Sequence, residues 1–101
     1  MGLTVVLETE NGVAVEHVGD PTNILHRVLP RLSSDSHCLG YIDWYGDTVF
    51  NRVQMDRFLH EWRGLRLTMK SPQERELFDA IEGLALRCQR EPHWYLKFYG
   101  D

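Results

Sequence analysis

Asp43 and Asp47 are the two residues whose type and spacing best suit acid and base chemistry, because they lie on either side of a predicted turn. Paired carboxylates act as general acid and general base only where burial or a third group drives their pKa values apart. Aspartates also occur commonly at the ends of a hairpin without any catalytic role. The interpretation that we favour for this pair is therefore a solvated turn.

Histidines and cysteines do not have the spacing of a metal site or of a thiolate–imidazole pair. The five histidines are scattered, and no second histidine follows His60-Glu61 at the distance that the zinc-protease helix requires. Cys38 and Cys88 fall in apolar patterns, which predicts reduced core thiols. The eight glycines form no phosphate-binding loop. We therefore predict no catalytic residues, no metal and no cofactor.

The formal charge of −4 is concentrated at the start of the chain. Residues 1–26 carry four acidic residues and no Lys or Arg, whereas residues 27–101 carry 11 acidic and 11 basic residues. A negative field attracts basic partners and repels phosphate, so we predict a basic protein partner and no direct binding of nucleic acid.

Aromatic side chains are more plentiful than a small core needs, and Trp and Tyr commonly anchor protein interfaces. Trp44 and Tyr45 lie at the predicted turn, and Trp94 and Tyr99 lie in the last predicted strand. Trp44 and Tyr45, together with acidic residues, define a predicted partner-binding set. That set is Glu8, Glu10, Glu16, Asp20, Trp44, Tyr45 and Asp47.

The acidic residues must be positioned by a hairpin, because residues 3–9 and 13–17 alternate apolar and polar side chains. A three-residue loop with Gly12 in the left-handed conformation would place Leu7 opposite Val15. The predicted core face of this hairpin then consists of Leu3, Val5, Leu7, Val13 and Val15.

The middle of the chain predicts a helix followed by a second hairpin. Asp20-Pro21 is a helix start, and Pro30 ends or tightens that helix. Residues 38–45 are predicted to form a strand, which a turn at Gly46-Asp47 joins to a short return strand over 48–50.

Two amphipathic helices follow. Asn51 and Gln54 resemble a capping box, and the next apolar residues share one helical face. Ser71, with Pro72 after it and Glu74 three residues on, predicts the start of the second helix. Residues 65–70 fit a strand or a loop equally well, and residues 93–99 predict a closing strand.

Residues 41–47 and 95–101 share four of seven positions. We favour two unrelated aromatic strands that precede Gly-Asp turns, with an internal duplication as the alternative. In either case both strands are expected in one sheet, where Asp43 and Lys97 could pair if the strands are neighbours.

These elements predict a single α+β domain over residues 1–101. Its expected architecture is an antiparallel or mixed sheet of four to six strands with about three helices on one face. The chain has no apolar run of the length of a membrane span and no secretion signal, so we expect a cytoplasmic protein without a membrane partner.

Three functions remain open. The first is a small acidic cytosolic protein-binding module, an inhibitor or immunity-type bacterial protein that covers a basic site on a toxin or nuclease. The second is a small enzyme or ligand-binding domain with a pocket lined by Tyr41, Asp43, His93 and Tyr95. The third is a self-associating subunit that forms a homodimer by pairing residues 95–99 as an edge strand.

Overall fold

The computed structural model describes residues 3–31 and 36–100, in which strands and helices form an α+β fold as predicted. The strands are β1 (Thr4–Thr9), β2 (Ala14–Val18), β3 (Asp47–Asn51) and β4 (Trp94–Tyr99). The helices are α1 (Ile24–Val28), α2 (Met55–Gly64) and α3 (Pro72–Arg90). Short 3₁₀ turns occupy Leu29–Arg31, Leu39–Tyr41, Arg52–Gln54 and Arg66–Thr68.

The four strands form one antiparallel sheet in the order β2-β1-β4-β3. Strands β1 and β4 are central, so the edges belong to β2 and β3. Alternate side chains of the sheet are buried in the core on the side of the helices, among them Leu7, Phe50 and Phe98. Helix α3 packs on β1 and β4, and α2 packs on α3.

The first hairpin has the predicted loop but not the predicted register. Gly12 has a φ of 80°, and its amide donates to the Thr9 carbonyl at 3.0 Å, which confirms the three-residue loop. A bulge then shifts the register, so Leu7 lies opposite Glu16 rather than opposite Val15. Val13 and Val15, which were predicted for the core face, are 61% and 36% exposed, so that part of the prediction is wrong.

Helix α1 is short because Asn23, which precedes it, has a left-handed backbone with a φ of 56°. The Asp20 carboxylate accepts hydrogen bonds from the amides of Ile24 and Leu25, both at 2.8 Å, as expected of a capping residue. Pro21 lies in the turn before the helix, so the predicted start was a few residues early. The 3₁₀ turn around Pro30 confirms that this proline tightens the chain.

The predicted strand over residues 38–45 is wrong. A 3₁₀ turn, Leu39–Tyr41, replaces it, because a carboxylate of α2 takes the backbone donors that a strand would place in a ladder. Glu61 accepts hydrogen bonds from the amides of His37 at 2.7 Å and of Cys38 and Leu39 at 2.9 Å. The Ser36 hydroxyl donates to the same carboxylate at 2.8 Å.

The caps of both long helices are largely as predicted. Asn51 and Gln54 form a capping box through bonds of 3.1 and 2.8 Å, and one 3₁₀ turn separates that box from α2. Ser71 caps α3 by accepting from the Glu74 amide at 3.2 Å. The Glu74 carboxylate, however, accepts from the Lys70 amide rather than from the cap residue. Residues 66–68 form a 3₁₀ turn and not a strand.

One apolar cluster fills the space between the sheet and the helices, and it includes the predicted face of α2. Met55, Phe58, Leu59 and Trp62 are all buried, and the Trp62 indole donates to the Phe78 carbonyl at 3.1 Å, which joins α2 to α3. The cysteines are buried free thiols, as predicted. Among residues 3–31 and 36–100, no helix is long and apolar enough to cross a membrane.

Candidate partner-recognition surface

Glu8 is not a surface charge, although the sequence places it in the predicted partner-binding set. It is 7% exposed on the sheet face opposite the helices. Its carboxylate lies 2.9 Å from the Lys97 ammonium and accepts a hydrogen bond from the Tyr99 hydroxyl. Lys97 therefore pairs with Glu8 and not with Asp43, which was expected as its partner only if residues 41–47 and 95–101 formed neighbouring strands.

The three groups of this cluster change one another's protonation. Burial raises the pKa of Glu8, but the hydrogen bonds from Tyr99 and Lys97 outweigh burial and hold that pKa below its ordinary value. The hydrogen bond to Glu8 raises the pKa of Tyr99 and also that of Lys97. At neutral pH the cluster consists of a carboxylate, an ammonium and a neutral phenol, with no net charge to offer a partner.

The remaining acidic residues of the first quarter are dispersed. Asp20 is 6% exposed and caps α1 from inside the fold. Glu16 forms an exposed ion pair with Arg87 at 2.7 Å, and Glu10 lies 3.6 Å from His93 at the hairpin tip. Lys97 and Arg87 therefore compensate the charges of Glu8 and Glu16, whereas Glu10 and Asp20 contact no Lys or Arg among the described residues. A role for Glu10 and Glu16 in binding stays a prediction.

The aromatic residues of the set lie on a connection that we call the aromatic loop, residues 41–47. Tyr41 is 73% exposed and Tyr45 is 83% exposed, whereas Ile42 is buried in the core. The Trp44 ring is half-buried and stacks on the His26 ring of α1 with centroids 4.1 Å apart. Trp44 therefore supports the loop from below, and the two tyrosines project from it.

Backbone hydrogen bonds hold the aromatic loop in place. The Asp43 amide donates to the Thr48 hydroxyl, and the Tyr45 amide donates to the Asp43 carboxylate, both at 2.9 Å. The Gly100 amide donates to the Gly46 carbonyl at 2.7 Å. A Cβ on Gly100 would overlap the Trp44 carbonyl, so this approach requires glycine. The tyrosines are thus displayed on an ordered backbone, which lowers the entropic cost of binding.

The two similar heptads meet at these glycines, but they have different conformations. Residues 95–99 belong to β4, which confirms the closing strand, whereas residues 41–45 form a 3₁₀ turn and a loop. Asp101 lies outside the described residues. Whether the resemblance reflects a duplication stays open.

The aromatic loop is negatively charged. Asp43 and Asp47 are both exposed, and the carboxylate of Asp47 makes no hydrogen bond or ion pair with any residue in the described ranges. Asp43 receives one backbone amide and no cation from the same residues. Two phenol rings and two uncompensated carboxylates therefore share a short stretch of surface.

The four residues of the predicted ligand pocket do not come together. Asp43 lies near Gly100, beyond the end of β4, and Tyr41 belongs to the same aromatic loop, whereas His93 and Tyr95 lie at the beginning of β4. Tyr95 and Gly100 are five positions apart along an extended chain, a span of about 16 Å. A depression of about 200 Å³ near His93 includes Tyr95 but neither Tyr41 nor Asp43.

The predicted edge-strand contact is also wrong, because β4 is paired on both sides with β1 and β3. Its backbone groups are therefore not available for pairing across a two-fold axis. In the described part of the chain, His, Cys, Asp and Glu do not gather in groups of three or more that could hold a metal ion.

Two residues that position the aromatic loop, His26 and Gly100, were not among the predicted site residues. His26 reaches Trp44 only through the path of α1, which local patterns do not reveal. Gly100 had one signal, since it occupies the same place in its heptad as Gly46.

Comparison of the chain with protein-family models, curated proteins and solved structures finds no match.

Proposed function

We propose that this protein is a small cytoplasmic module that binds a basic partner protein through the aromatic loop. It would act as an inhibitor or immunity-type protein acts when it covers a basic site on a toxin or nuclease. The observation that carries the proposal is Tyr45, a tyrosine 83% exposed on a loop whose backbone is held by hydrogen bonds, next to the uncompensated carboxylate of Asp47.

Exposed tyrosines on an ordered loop suit an interface energetically. Tyrosine can bury a large area at little conformational cost, and central tyrosines are often hot spots whose truncation costs about 2 kcal/mol or more. Because Asp43 and the chain around Gly100 already order the loop, little further entropy is lost on binding. We expect Tyr45 to contribute more binding free energy than any acidic residue of the hairpin.

The charge of the loop specifies the chemistry of the partner. Asp43 and Asp47 would face lysine or arginine side chains, and complementary charge raises the association rate more than it lowers the dissociation rate. Binding should therefore weaken as the salt concentration rises.

This surface differs from the predicted set in its membership. Trp44, Tyr45 and Asp47 remain, although Trp44 acts as a support. The proposed surface also includes Tyr41 and Asp43, which the sequence had assigned to the alternative ligand pocket. Glu8 and Asp20 stabilise the fold, and removing either one should reduce binding only through loss of structure.

Affinity capture from native cells at low and at high salt, with the captured protein then identified and purified, tests the proposal. Calorimetry with the purified partner would compare Tyr45→Ala and Asp47→Asn with matched substitutions at the opposite end of the sheet, Val13→Ala and Glu91→Gln, where both side chains are exposed. We expect Tyr45→Ala to weaken binding about 30-fold or more, which corresponds to about 2 kcal/mol. The control variants should stay close to wild type.

Two outcomes would contradict the proposal. In one, the loop and control variants bind the partner equally well, so the loop is not the interface. In the other, the protein captures only further copies of itself, which would support the self-associating subunit.

A further inference from the structure

A groove of about 270 Å³ lies between α3 and the connection from β2 to α1. Its floor is apolar and consists of Val18, Ile24, Leu77 and Ala80. The residues of α3 that line the groove form a stripe on the helix surface about 100° wide, and this stripe lies next to the one that is buried in the core. Leu77 is half-buried and Ala80 is exposed, so apolar surface remains accessible in the groove.

Two carboxylates line the same groove. Asp20 is 6% exposed, and its two carboxylate oxygens accept hydrogen bonds from the amides of Ile24 and Leu25. Glu76 is exposed and makes no hydrogen bond or ion pair within residues 3–31 and 36–100. Arg27 donates to the Thr22 carbonyl at the rim, at 3.3 Å, and pairs with neither carboxylate. The groove thus combines an apolar floor with one exposed carboxylate, that of Glu76, which has no partner among the described residues.

We propose that this groove is the socket for one lysine or arginine side chain of the basic partner. This proposal rests on the proposed function and adds a second contact to it. Lysine and arginine lay their methylene stems along apolar surface and keep the charged head in a polar environment, which matches the floor and Glu76. At about 270 Å³ the groove is smaller than a typical site for a drug-sized ligand, and its size suits a single long side chain.

The socket and the aromatic loop lie at the same end of the sheet. Val18 of β2 pairs with Val5 of β1, which follows Thr4. Thr4 pairs with Tyr99 of β4, and Tyr99 also pairs with Asp47 of β3. Three strand spacings separate β2 from β3, a distance of about 14 Å. An interface of standard size covers about 800 Å² on each partner and is roughly 28 Å across. One partner can therefore contact both features.

A direct test needs no partner. The purified protein, labelled with ¹⁵N, would be titrated with N-acetyl-arginine methylamide and, as a matched uncharged probe, with N-acetyl-norleucine methylamide. We expect saturable, millimolar binding of the arginine probe, with amide shifts confined to residues such as Gly19, Thr22 and Ala80. The norleucine probe should bind at least several-fold more weakly, because it lacks the charged head.

Three variants then separate the socket from the general field of the protein. Glu76→Gln should weaken binding of the arginine probe about two- to five-fold, the range of an exposed ion pair. Ala80→Leu should abolish binding by filling the floor with a good helix former. Asp79→Asn, which removes the same charge from a neighbouring exposed position of α3, should leave the affinity unchanged.

Several results would overturn the socket. They are the absence of saturable shifts, equal binding of the norleucine probe, and equal weakening by Asp79→Asn and Glu76→Gln. These outcomes leave the proposed function intact if Tyr45→Ala still loses the partner. Conversely, the arginine probe could bind the groove even if Tyr45→Ala bound the partner as well as wild type does, so the two proposals can fail separately.

Discussion

Replacing Glu61 with glutamine should remove the anion around which residues 36–39 are arranged. The substitution keeps the shape of the side chain but replaces one acceptor oxygen by a donor, opposite backbone amides that also donate. Burial opposes the ionisation of Glu61, but the amides of Leu39, Cys38 and His37 outweigh it and lower its pKa to about 2. The Arg57 guanidinium adds an ion pair at 3.0 Å.

The magnitude follows from that pKa. The ordinary value is 4.5, and each pKa unit corresponds to about 1.4 kcal/mol, so the ionised carboxylate stabilises the fold by about 3 kcal/mol at neutral pH. The side chain is only 6% exposed, so screening by solvent is small. Because the pKa is lowered on folding, this contribution is complete above 4.5 and disappears as the pH falls towards 2.

Urea denaturation of wild type and Glu61→Gln across this pH range, followed by tryptophan fluorescence, measures the difference in the free energy of unfolding. We expect about 3 kcal/mol at neutral pH and less than about 1 kcal/mol near pH 2, where about half of the folded wild type carries a protonated Glu61. Glu82→Gln, which removes an exposed ion pair with Arg63, should cost less than about 1 kcal/mol. A difference that is independent of pH would refute the reasoning.

Three further substitutions test the contact of Gly100 with the aromatic loop, the helix propensity of α3, and the hydrogen bond between Tyr99 and Glu8. Gly100→Ala should destabilise the fold by about 1–3 kcal/mol, because the new methyl group would overlap the Trp44 carbonyl, and urea denaturation would detect the loss. Gly83→Ala should stabilise α3 by about 0.5–1 kcal/mol in the same assay, since no atom lies within 4 Å of the added Cβ. Tyr99→Phe should raise the pKa of Glu8, because it removes a hydrogen bond that lowers that pKa, and NMR titration of the carboxyl carbon would show the shift. An unchanged titration would mean that this bond is absent in solution.

Much of the fold could be predicted because its signals are local. The capping box of Asn51 and Gln54 and the cap of Ser71 depend on residues three positions apart. The buried face of α2 follows from helical periodicity alone. The antiparallel sheet followed from alternation in β1 and from the aromatic closing strand, so the α+β class did not depend on any distant contact.

The errors have distant or small causes. Residues 38–45 have the composition of a strand, but Glu61 takes their backbone donors from more than twenty positions away. A single bulge at Val15 places Glu16 opposite Leu7, and Val13 and Val15 are exposed at the edge of the sheet. No local rule predicts either event, because each one is settled by tertiary packing.

The candidate site was predictable in composition but not in arrangement. The sequence indicates that acidic and aromatic residues matter, yet it cannot show that Glu8 pairs with Lys97 or that Asp20 is a buried cap. From the sequence, Tyr45 was assigned to the partner-binding set and Tyr41 to the alternative ligand pocket, although the structure exposes both rings on one loop. The groove beside α3 joins residues more than fifty positions apart and has no signature in the sequence.

Site-specific photocrosslinking in native cells tests the central claim most directly. A benzophenone side chain would replace Tyr45 on the aromatic loop and, in a control protein, Val13 at the opposite end of the sheet, which is also exposed. The account predicts one discrete adduct with a basic protein from position 45, diminished by Asp47→Asn, and no such adduct from position 13. Equal adducts from both positions, no adduct from position 45, or a crosslink between two copies of this chain would contradict it.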